Sequence, residues 1–171
     1  MEIRIYIADL EAYNNGELSG EWVTLPMDSD ELEEVINKHT RNGQHDYAIH
    51  DYEAPFKISE YQNLQKLNET MEEIQACNVD EDVMKAIIET MSTLEEAIQI
   101  ANDGDYMVFW DCDDMGDVAA NYLEESDIFD SMPDNLRGYF DYEKYGRDME
   151  IEGSFTQFNC SNGKSAYVQI F

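Results

Sequence analysis

The feature that most constrains how this chain folds is its charge. Its 171 residues include 39 Asp and Glu against 10 Lys and Arg, a formal net charge of -29 at pH 7. Such an excess favours cationic partners and opposes binding to nucleic acid or to an anionic membrane surface. High net charge is also typical of disorder, but 43% of the residues are hydrophobic and 20 are aromatic, which is enough for a packed core. We therefore expect a folded chain, and both a solvated halophilic surface and a charge-based function stay open.

The cysteines and the N-terminus indicate the compartment. Cys77, Cys112 and Cys160 are too few and too widely spaced for a disulfide framework or a CxxC metal pair. Glu2 lies where a signal peptide has positive charge, and no apolar run approaches the ~18 residues of a membrane span. We expect a soluble, cytoplasmic protein with reduced thiols.

Hydrophobic spacing predicts a small α+β domain over residues 1–58. The alternating isoleucines of Ile3–Ile7 predict a strand, and the NNG sequence ending at Gly16 predicts a tight hairpin turn into a returning strand, LSGEWVTLP. Asp28 followed by Glu31 is the pattern of a capping box, which predicts a helix reaching about residue 38. A further strand is predicted in DYAIHDYEAPF.

The remainder predicts a helical middle and a second mixed region. Helical spacing of apolar residues predicts three helices between about 59 and 102, with caps at Ser59 and Thr93. The strand YMVFW, an acidic helix, a helix near Asp134–Tyr145 and hairpin-like strands in MEIEGSF and SAYVQIF follow. The predicted fold class is α+β, with three small domains: 1–58, α+β; 59–103, helical; 104–171, α+β.

A carboxylate-rich stretch, WDCDDMGDVAANYLEESD, follows the YMVF of the predicted strand and ends at Asp127. A calcium loop needs oxygen ligands at positions 1, 3 and 5 and a Glu at position 12. Counting from Asp111 puts Met115 at position 5 and Tyr122 at position 12, so the pattern fails, although spacing leaves a magnesium site open. We expect no bound metal and no cofactor. The histidines lack the HExxH spacing of a zinc site and are expected to be ordinary polar residues: His39, His45 and His50.

The same stretch resembles the catalytic loop of aspartate-nucleophile phosphatases. Their DxDxT loop uses one Asp as nucleophile and the next as acid, roles that Asp111 and Asp113 would take. Met115 occupies the Thr position, and fewer than sixty residues follow to form the βα units that supply the remaining lysine and metal carboxylates. The loop pattern is therefore incomplete.

Displayed charge is the third interpretation of this stretch. On a helical wheel Asp113, Asp117 and Glu124 fall within about 40° of one another, opposite the apolar residues between Met115 and Tyr122. Capping explains acids at the start of a helix but not Glu124 and Glu125 near its end, where negative charge is unfavourable.

The charge in this part of the chain is also uncompensated. No Lys or Arg occurs between Lys85 and Arg137, whereas that interval carries 14 acids. Helix residues three or four apart place their side chains about 5 to 6 Å from one another, which resembles phosphate spacing along a nucleic-acid strand. The charge density is therefore similar to that of DNA.

Four separated blocks resemble the ArdA-type antirestriction proteins, in the same order. They are YIADLEAYNNGELSGEWVTLP (6–26), YAIHDYEAPF (47–56), DCDDMGDVAANYLEE (111–125) and YFDYEKYGRDMEIEGSF (139–155). Each combines aromatic and acidic residues in an uncommon way, and all but YAIHDYEAPF also contain glycine. The family's short antirestriction motif best matches Val118–Pro133, where Tyr122–Glu125 keep the pattern.

The resemblance implies a B-form DNA mimic without catalytic activity, carried on mobile genetic elements. It implies an elongated, three-domain homodimer that occupies the DNA-binding groove of type I restriction-modification enzymes, formed by the methyltransferase core with its specificity subunit. It implies no direct binding to nucleic acid or membrane.

We predict that exposed carboxylates of the helical middle and of the acidic stretch lie where DNA phosphates would lie. Two alternatives stay open: a small Mg-dependent phosphohydrolase centred on Asp111 and Asp113, or an acidic decoy for another DNA-binding protein. The predicted phosphate-mimic and partner-binding residues are Glu72, Glu73, Asp80, Glu81, Asp82, Glu89, Glu95, Glu96, Asp111, Asp113, Asp114, Asp117, Glu124 and Glu125.

Overall fold

Helices and two three-stranded antiparallel sheets make up the regular structure. The computed structural model describes residues 1–126, 128–129 and 132–171, and its mixture of helices with antiparallel strands confirms the α+β class. The chain divides into two compact units, unit 1 (Met1–Asn78) and unit 2 (Val79–Phe171). The division into three domains stays a prediction. Over the described ranges, no helix combines the length and the apolar character needed to cross a membrane.

Unit 1 is built on a sheet of order β2-β1-β3, in which both neighbours pair antiparallel with the central strand. The alternating isoleucines of the first strand are fully buried, which confirms the predicted strand, and the Asp28 carboxylate caps the second helix as predicted. The elements are β1 (Ile3–Asp9), α1 (Leu10–Asn14), β2 (Gly20–Leu25), α2 (Ser29–His39), β3 (Tyr47–Glu53) and α3 (Leu64–Ala76).

The connection between β1 and β2 differs from the predicted tight turn. The Asp9 carboxylate accepts a hydrogen bond from the backbone N–H of Ala12 at 3.0 Å and so starts the helix α1 between the strands. A two-residue type I′ turn requires positive φ at both central residues, but Asn15 has φ -89 and only Gly16, at φ 81, is left-handed. The antiparallel pairing was therefore predicted correctly and the hairpin turn was wrong.

Unit 2 has a sheet of order β4-β6-β5 with helices on both faces. Phe155 packs with the core that α6 lines, whereas its neighbour Thr156 accepts a hydrogen bond from Thr90 of α4. Adjacent strand residues point to opposite faces, so the two helices cover different sides. The elements are α4 (Glu81–Thr90), α5 (Leu94–Asp103), β4 (Tyr106–Trp110), α6 (Met115–Glu125), α7 (Asp134–Arg137), α8 (Tyr142–Glu152), β5 (Ser154–Asn159) and β6 (Ser165–Ile170).

Several predicted boundaries are corrected. Thr93 caps α5 as predicted, but Asn63 rather than Ser59 caps α3. The helix predicted near Asp134–Tyr145 is broken into α7 and α8, because Asp141 accepts from the Lys144 N–H and starts a new helix. That helix continues through the residues predicted as the strand MEIE, and β5 begins only after Gly153.

Candidate functional site

The acidic stretch begins where β4 ends. Phe109 is buried in the core, and the chain then turns at Asp111, which has a left-handed φ of 58. Cys112 returns to the core with no exposed surface, so Asp113 and Asp114 on its C-terminal side remain outside. The alternation of buried and exposed residues therefore presents the carboxylates of this turn to solvent.

Two acids at the start of α6 help to hold the turn. Asp114 caps the helix by accepting from the N–H groups of Gly116 and Asp117 at 2.8 and 3.0 Å. The Asp117 carboxylate accepts from the Asp113 N–H at 2.9 Å. Capping of this kind satisfies backbone donors that lack an intrahelical partner. These carboxylates are exposed but contribute to the fold as well as to the surface charge.

The predicted separation of faces on α6 is confirmed with one adjustment. Met115, Val118 and Ala119 are buried, half-buried Tyr122 packs against the same core, and buried Leu123 adds to the apolar face. Glu124 and Glu125 are exposed at the end of the helix and have no hydrogen bond or ion pair among the described residues. Asp127, at the end of the acidic stretch, lies outside the described residues, as do Asp130 and Ser131 of the predicted antirestriction motif.

The apolar face of α6 packs against the sheet and against α8. Gly146 of α8 lies directly against the backbone of Met115, where a Cβ would overlap the Met115 carbonyl group. Only glycine allows the helices to approach this closely. Gly146 therefore has a core role, and its contact fixes the orientation in which α6 presents its acids.

The N-terminus of α4 contributes three further acids. Asp80 caps the helix, and Glu81 forms an ion pair of 2.7 Å with Lys85 that lowers the pKa of Glu81. Asp82, the one half-exposed member of the predicted set, accepts from the N–H and hydroxyl of Ser161 at 2.7 and 2.8 Å. The backbone hydrogen bond from Ser161 is the main cause that holds the pKa of Asp82 below its usual value.

The turn between β5 and β6 brings acids of α4 and of the β4–α6 turn close together. Burial raises the pKa of the Cys160 thiol, and the negative charges of Asp80, Asp82 and Asp111 raise it further. The Lys164 ammonium group lies 2.6 Å from Asp111, so one cation partly offsets this group. Asp80, Asp82 and Asp111 thus form one acidic surface around residues 160–164, which we call the turn surface.

The remaining predicted acids lie on helix surfaces. On α3, Glu72 accepts from the Asn68 side chain at 3.1 Å, and the Glu73 carboxylate has no hydrogen bond within the described ranges. On α5, Glu96 accepts from the Ser92 N–H at 3.3 Å. Glu73 and Glu72 belong to unit 1 and the others to unit 2. The exposed members of the predicted set are Glu72, Glu73, Asp80, Glu81, Glu89, Glu95, Glu96, Asp111, Asp113, Asp114, Asp117, Glu124 and Glu125.

The geometry around Asp111 and Asp113 differs from that of a phosphatase loop. Such a loop follows a strand of a parallel sheet and draws further catalytic residues from later βα units. Here β4 is an edge strand that pairs antiparallel with β6. Over residues 1–126, 128–129 and 132–171, no three His, Cys, Asp or Glu side chains are grouped so that they could hold a metal ion.

Sequence reasoning missed a buried charge cluster in unit 1. Asp9 is only 2% exposed, and the His45 ring lies between it and Glu11, with nitrogen–oxygen distances of 2.9 and 3.1 Å. His39 is also buried, with Nε2 3.0 Å from Glu21. These histidines were expected to be ordinary polar residues, and the structure shows that their rings contact carboxylates, of which Asp9 is buried and Glu21 is half-buried. Their separation in sequence from Asp9 and Glu21 left no local signal.

Comparison with known proteins comes from a family model. The model described as "Antirestriction protein (ArdA)" matches residues 5–161 of the 171-residue chain. The match covers both units and all of the predicted site residues. No curated protein matches the chain.

Proposed function

Because the chain belongs to the ArdA family of antirestriction proteins, we propose that it acts as a non-catalytic mimic of B-form DNA. Its target in this proposal is the DNA-binding groove of type I restriction-modification enzymes, where the methyltransferase core and the specificity subunit hold DNA. We also propose that it acts in the cytoplasm as a homodimer and is carried on mobile elements, as the resemblance of its sequence blocks implies.

The observation that carries the proposal is an excess of exposed negative charge. Between Lys85 and Arg137 the chain has 14 acids and no Lys or Arg. Of the 14 predicted phosphate mimics, all but Asp82 are exposed. Apolar contacts hold α6 in place. The exposed carboxylates of this helix therefore do not need cationic partners within the chain.

The amount of charge is sufficient for DNA mimicry. Duplex DNA carries about one charge per 1.7 Å of axis. Two copies of this chain carry twice the formal charge of -29, which corresponds to roughly 100 Å of duplex if all of it were displayed. A basic groove would attract such a surface over long range, increasing the rate of association at low salt.

A competition experiment tests the proposal. A type I methyltransferase core bound to a labelled DNA duplex is titrated with the protein, and we expect complete displacement that saturates at a fixed molar ratio. The result should be the same in EDTA and in millimolar magnesium. Displacement by a catalytic trace amount, a requirement for magnesium, or no displacement at micromolar excess would contradict it.

The same experiment distinguishes the proposed function from the alternative of an acidic decoy for another DNA-binding protein. A set of unrelated basic DNA-binding proteins, each loaded with the same duplex, is titrated in parallel. We expect the methyltransferase core to release DNA at much lower inhibitor concentrations than they do. Equal displacement from every basic protein would favour a general acidic decoy.

A further inference from the structure

Trp110 is a large aromatic side chain on the acidic side of unit 2 that carboxylate display does not explain. It is the last residue of β4 and is 47% exposed. Its ring packs edge-on against Phe158, with centroids 6.0 Å apart and planes at 77°. The next residue is Asp111 of the turn surface. Tryptophan is enriched among the few residues that dominate binding energy at protein interfaces.

Unit 1 contains a similar tryptophan that already has a cationic partner. Trp22 is 38% exposed, and the Arg4 guanidinium lies over its ring at 5.1 Å from the centroid. The same guanidinium pairs with Glu53 at 3.0 Å. A guanidinium held by an aromatic ring and a carboxylate combines cation–π attraction with a charge-assisted hydrogen bond. In unit 1 all three groups come from the chain itself.

At Trp110 an exposed ring is followed in the chain by the exposed carboxylate of Asp111. Within the part of the chain that the structure describes, no cation lies over the Trp110 ring. Lys164 pairs with Asp111, and both side chains of that pair are more than half exposed. A surface pair of this kind is weak and easily exchanged, and Asp80 and Asp82 leave the turn surface with more negative charge than Lys164 neutralises.

We propose that Trp110 and Asp111 together accept the guanidinium group of an arginine from the partner protein. Arginine fits better than lysine because its planar guanidinium stacks on an aromatic ring while its N–H groups bind a carboxylate. The identity of the partner rests on the proposed function, since arginines that contact phosphates line the groove of a DNA-binding enzyme. Trp110 would then be an anchor that phosphate mimicry alone does not supply.

Substitutions test this anchor with a matched control in the other unit. Inhibitor variants are titrated against the methyltransferase core, with circular dichroism to confirm folding. We expect Trp110→Ala to weaken binding about tenfold, from loss of a partly desolvated cation–π contact, and Trp110→Phe to have a smaller effect. Trp22→Phe should bind as the wild type does. If the wild type does not bind the core, the proposed function fails. If the wild type binds and both Trp110 variants bind as tightly as it does, only this inference fails.

A second measurement does not depend on the enzyme or on any Trp110 variant. The chain has two tryptophans, so Trp22→Phe leaves Trp110 as the only one, and Trp110→Phe leaves Trp22. Hexa-arginine and hexa-lysine peptides, which contain no tryptophan, are titrated into each variant while its fluorescence is recorded. We expect hexa-arginine to change Trp110 fluorescence at a lower concentration than hexa-lysine does, and neither peptide to affect Trp22. Equal responses to both peptides, or no response of Trp110, would overturn the inference.

Sedimentation of the free protein tests whether a second copy of the chain, rather than a partner arginine, covers the Trp110 ring. We expect Trp110→Ala to leave the oligomeric state unchanged over a range of concentrations. A loss of self-association in this variant would show that a second copy covers Trp110 and would overturn the assignment to a partner arginine.

Discussion

The two units use their carboxylates in opposite ways. In unit 1, Asp9 is removed from water and its charge is satisfied by a backbone N–H and the His45 ring. In unit 2, Asp113, Glu124 and Glu125 face solvent, and their carboxylates have no hydrogen bond or ion pair among the described residues. By sequence, unit 1 has 17 acids and 5 basic residues, and unit 2 has 22 and 5.

The comparison shows that hydrogen bonding within the fold, rather than the number of acids, separates structural from displayed charge. A buried carboxylate needs a partner, because desolvation without compensation costs several kcal/mol. An exposed carboxylate keeps its hydration and needs none. Acids that the fold does not use are therefore the ones available to a cationic partner.

The largest effect should follow loss of the buried charge in unit 1. Asp9→Asn replaces a buried carboxylate that accepts hydrogen bonds from Ala12 and His45 with a neutral amide, and we expect the free energy of unfolding of unit 1 to fall by about 3 kcal/mol. Urea unfolding can be followed through Trp22 in a Trp110→Phe background. Glu33→Gln, at an exposed position on α2, is the control and should change stability by less than about 0.5 kcal/mol. Equal effects of both substitutions would remove the proposed distinction.

The Asp9 carboxylate should also make the stability of unit 1 fall at low pH. Burial alone would raise the pKa of Asp9, but hydrogen bonds from Ala12 and His45 outweigh burial and hold it below its usual value. A lowered folded pKa contributes stability that is complete above the unfolded pKa of about 3.9 and is lost as pH falls through the folded pKa. Urea unfolding between pH 5 and 2.5 should therefore show a steep loss for wild-type unit 1. The loss should be shallower for Asp9→Asn, and identical profiles would contradict this account.

Unit 2 should depend on close packing where unit 1 depends on charge. Gly146→Ala would place a Cβ against the Met115 carbonyl, and we expect unit 2 to lose about 2 kcal/mol of stability. Thermal unfolding followed through Trp110 in a Trp22→Phe background measures the change. Gly138→Ala is the matched control, because a Cβ there meets no atom within 4 Å. If Gly146→Ala is as stable as the control, α6 and α8 do not pack as described.

Asp82 is an acid of unit 2 that supports the fold, and a smaller effect should identify it. Its carboxylate ties α4 to Ser161, so Asp82→Asn should destabilise unit 2 by about 1 kcal/mol through weakened charge-assisted hydrogen bonds. Asp113→Asn should leave stability unchanged, since the Asp113 side chain has no such partner. Chemical denaturation of both variants provides the measurement. A similar loss of stability in both would mean that the exposed acids also support the fold.

Local patterns predicted much of the fold. The isoleucine alternation of β1, the Asp28 and Thr93 caps and the apolar face of α6 were all evident in the sequence and are confirmed. Features that depend on distant residues were not evident. The Asp9–His45 pair spans 36 positions and the Asp82–Ser161 contact spans 79, so neither leaves a local pattern. The strand predicted at MEIE was wrong because these residues continue α8, in which Met149 packs against the core and Ile151 is exposed.

The exposed acids were predictable as a set but not as individuals. A helical wheel places Asp117 and Glu124 on the same side, but it cannot show that Asp117 also binds the Asp113 backbone or that Asp111 meets Lys164. The arginine site proposed at Trp110 could be inferred only from the structure, because the inference depends on comparison with Trp22, whose ring contacts the Arg4 guanidinium.

The central claim is that placement of exposed charge determines binding, and two sextuple amide variants of equal net charge test it most directly. One changes Glu73, Glu89, Asp111, Asp113, Glu124 and Glu125; the other changes the exposed unit 1 acids Glu2, Glu17, Glu33, Glu34, Asp46 and Glu60. Affinity for the methyltransferase core is measured at several salt concentrations, with circular dichroism as a check on folding, alongside Asp111→Asn and Asp113→Asn alone.

Each exposed contact contributes about 0.2 to 1 kcal/mol, so each single variant should bind within several-fold of wild type. The first sextuple variant should bind at least about tenfold more weakly, with a flatter dependence on salt. The second should lose only long-range steering and approach wild-type affinity as salt rises. Equal weakening by both sextuple variants, or complete loss of inhibition in a folded single variant, would contradict the account.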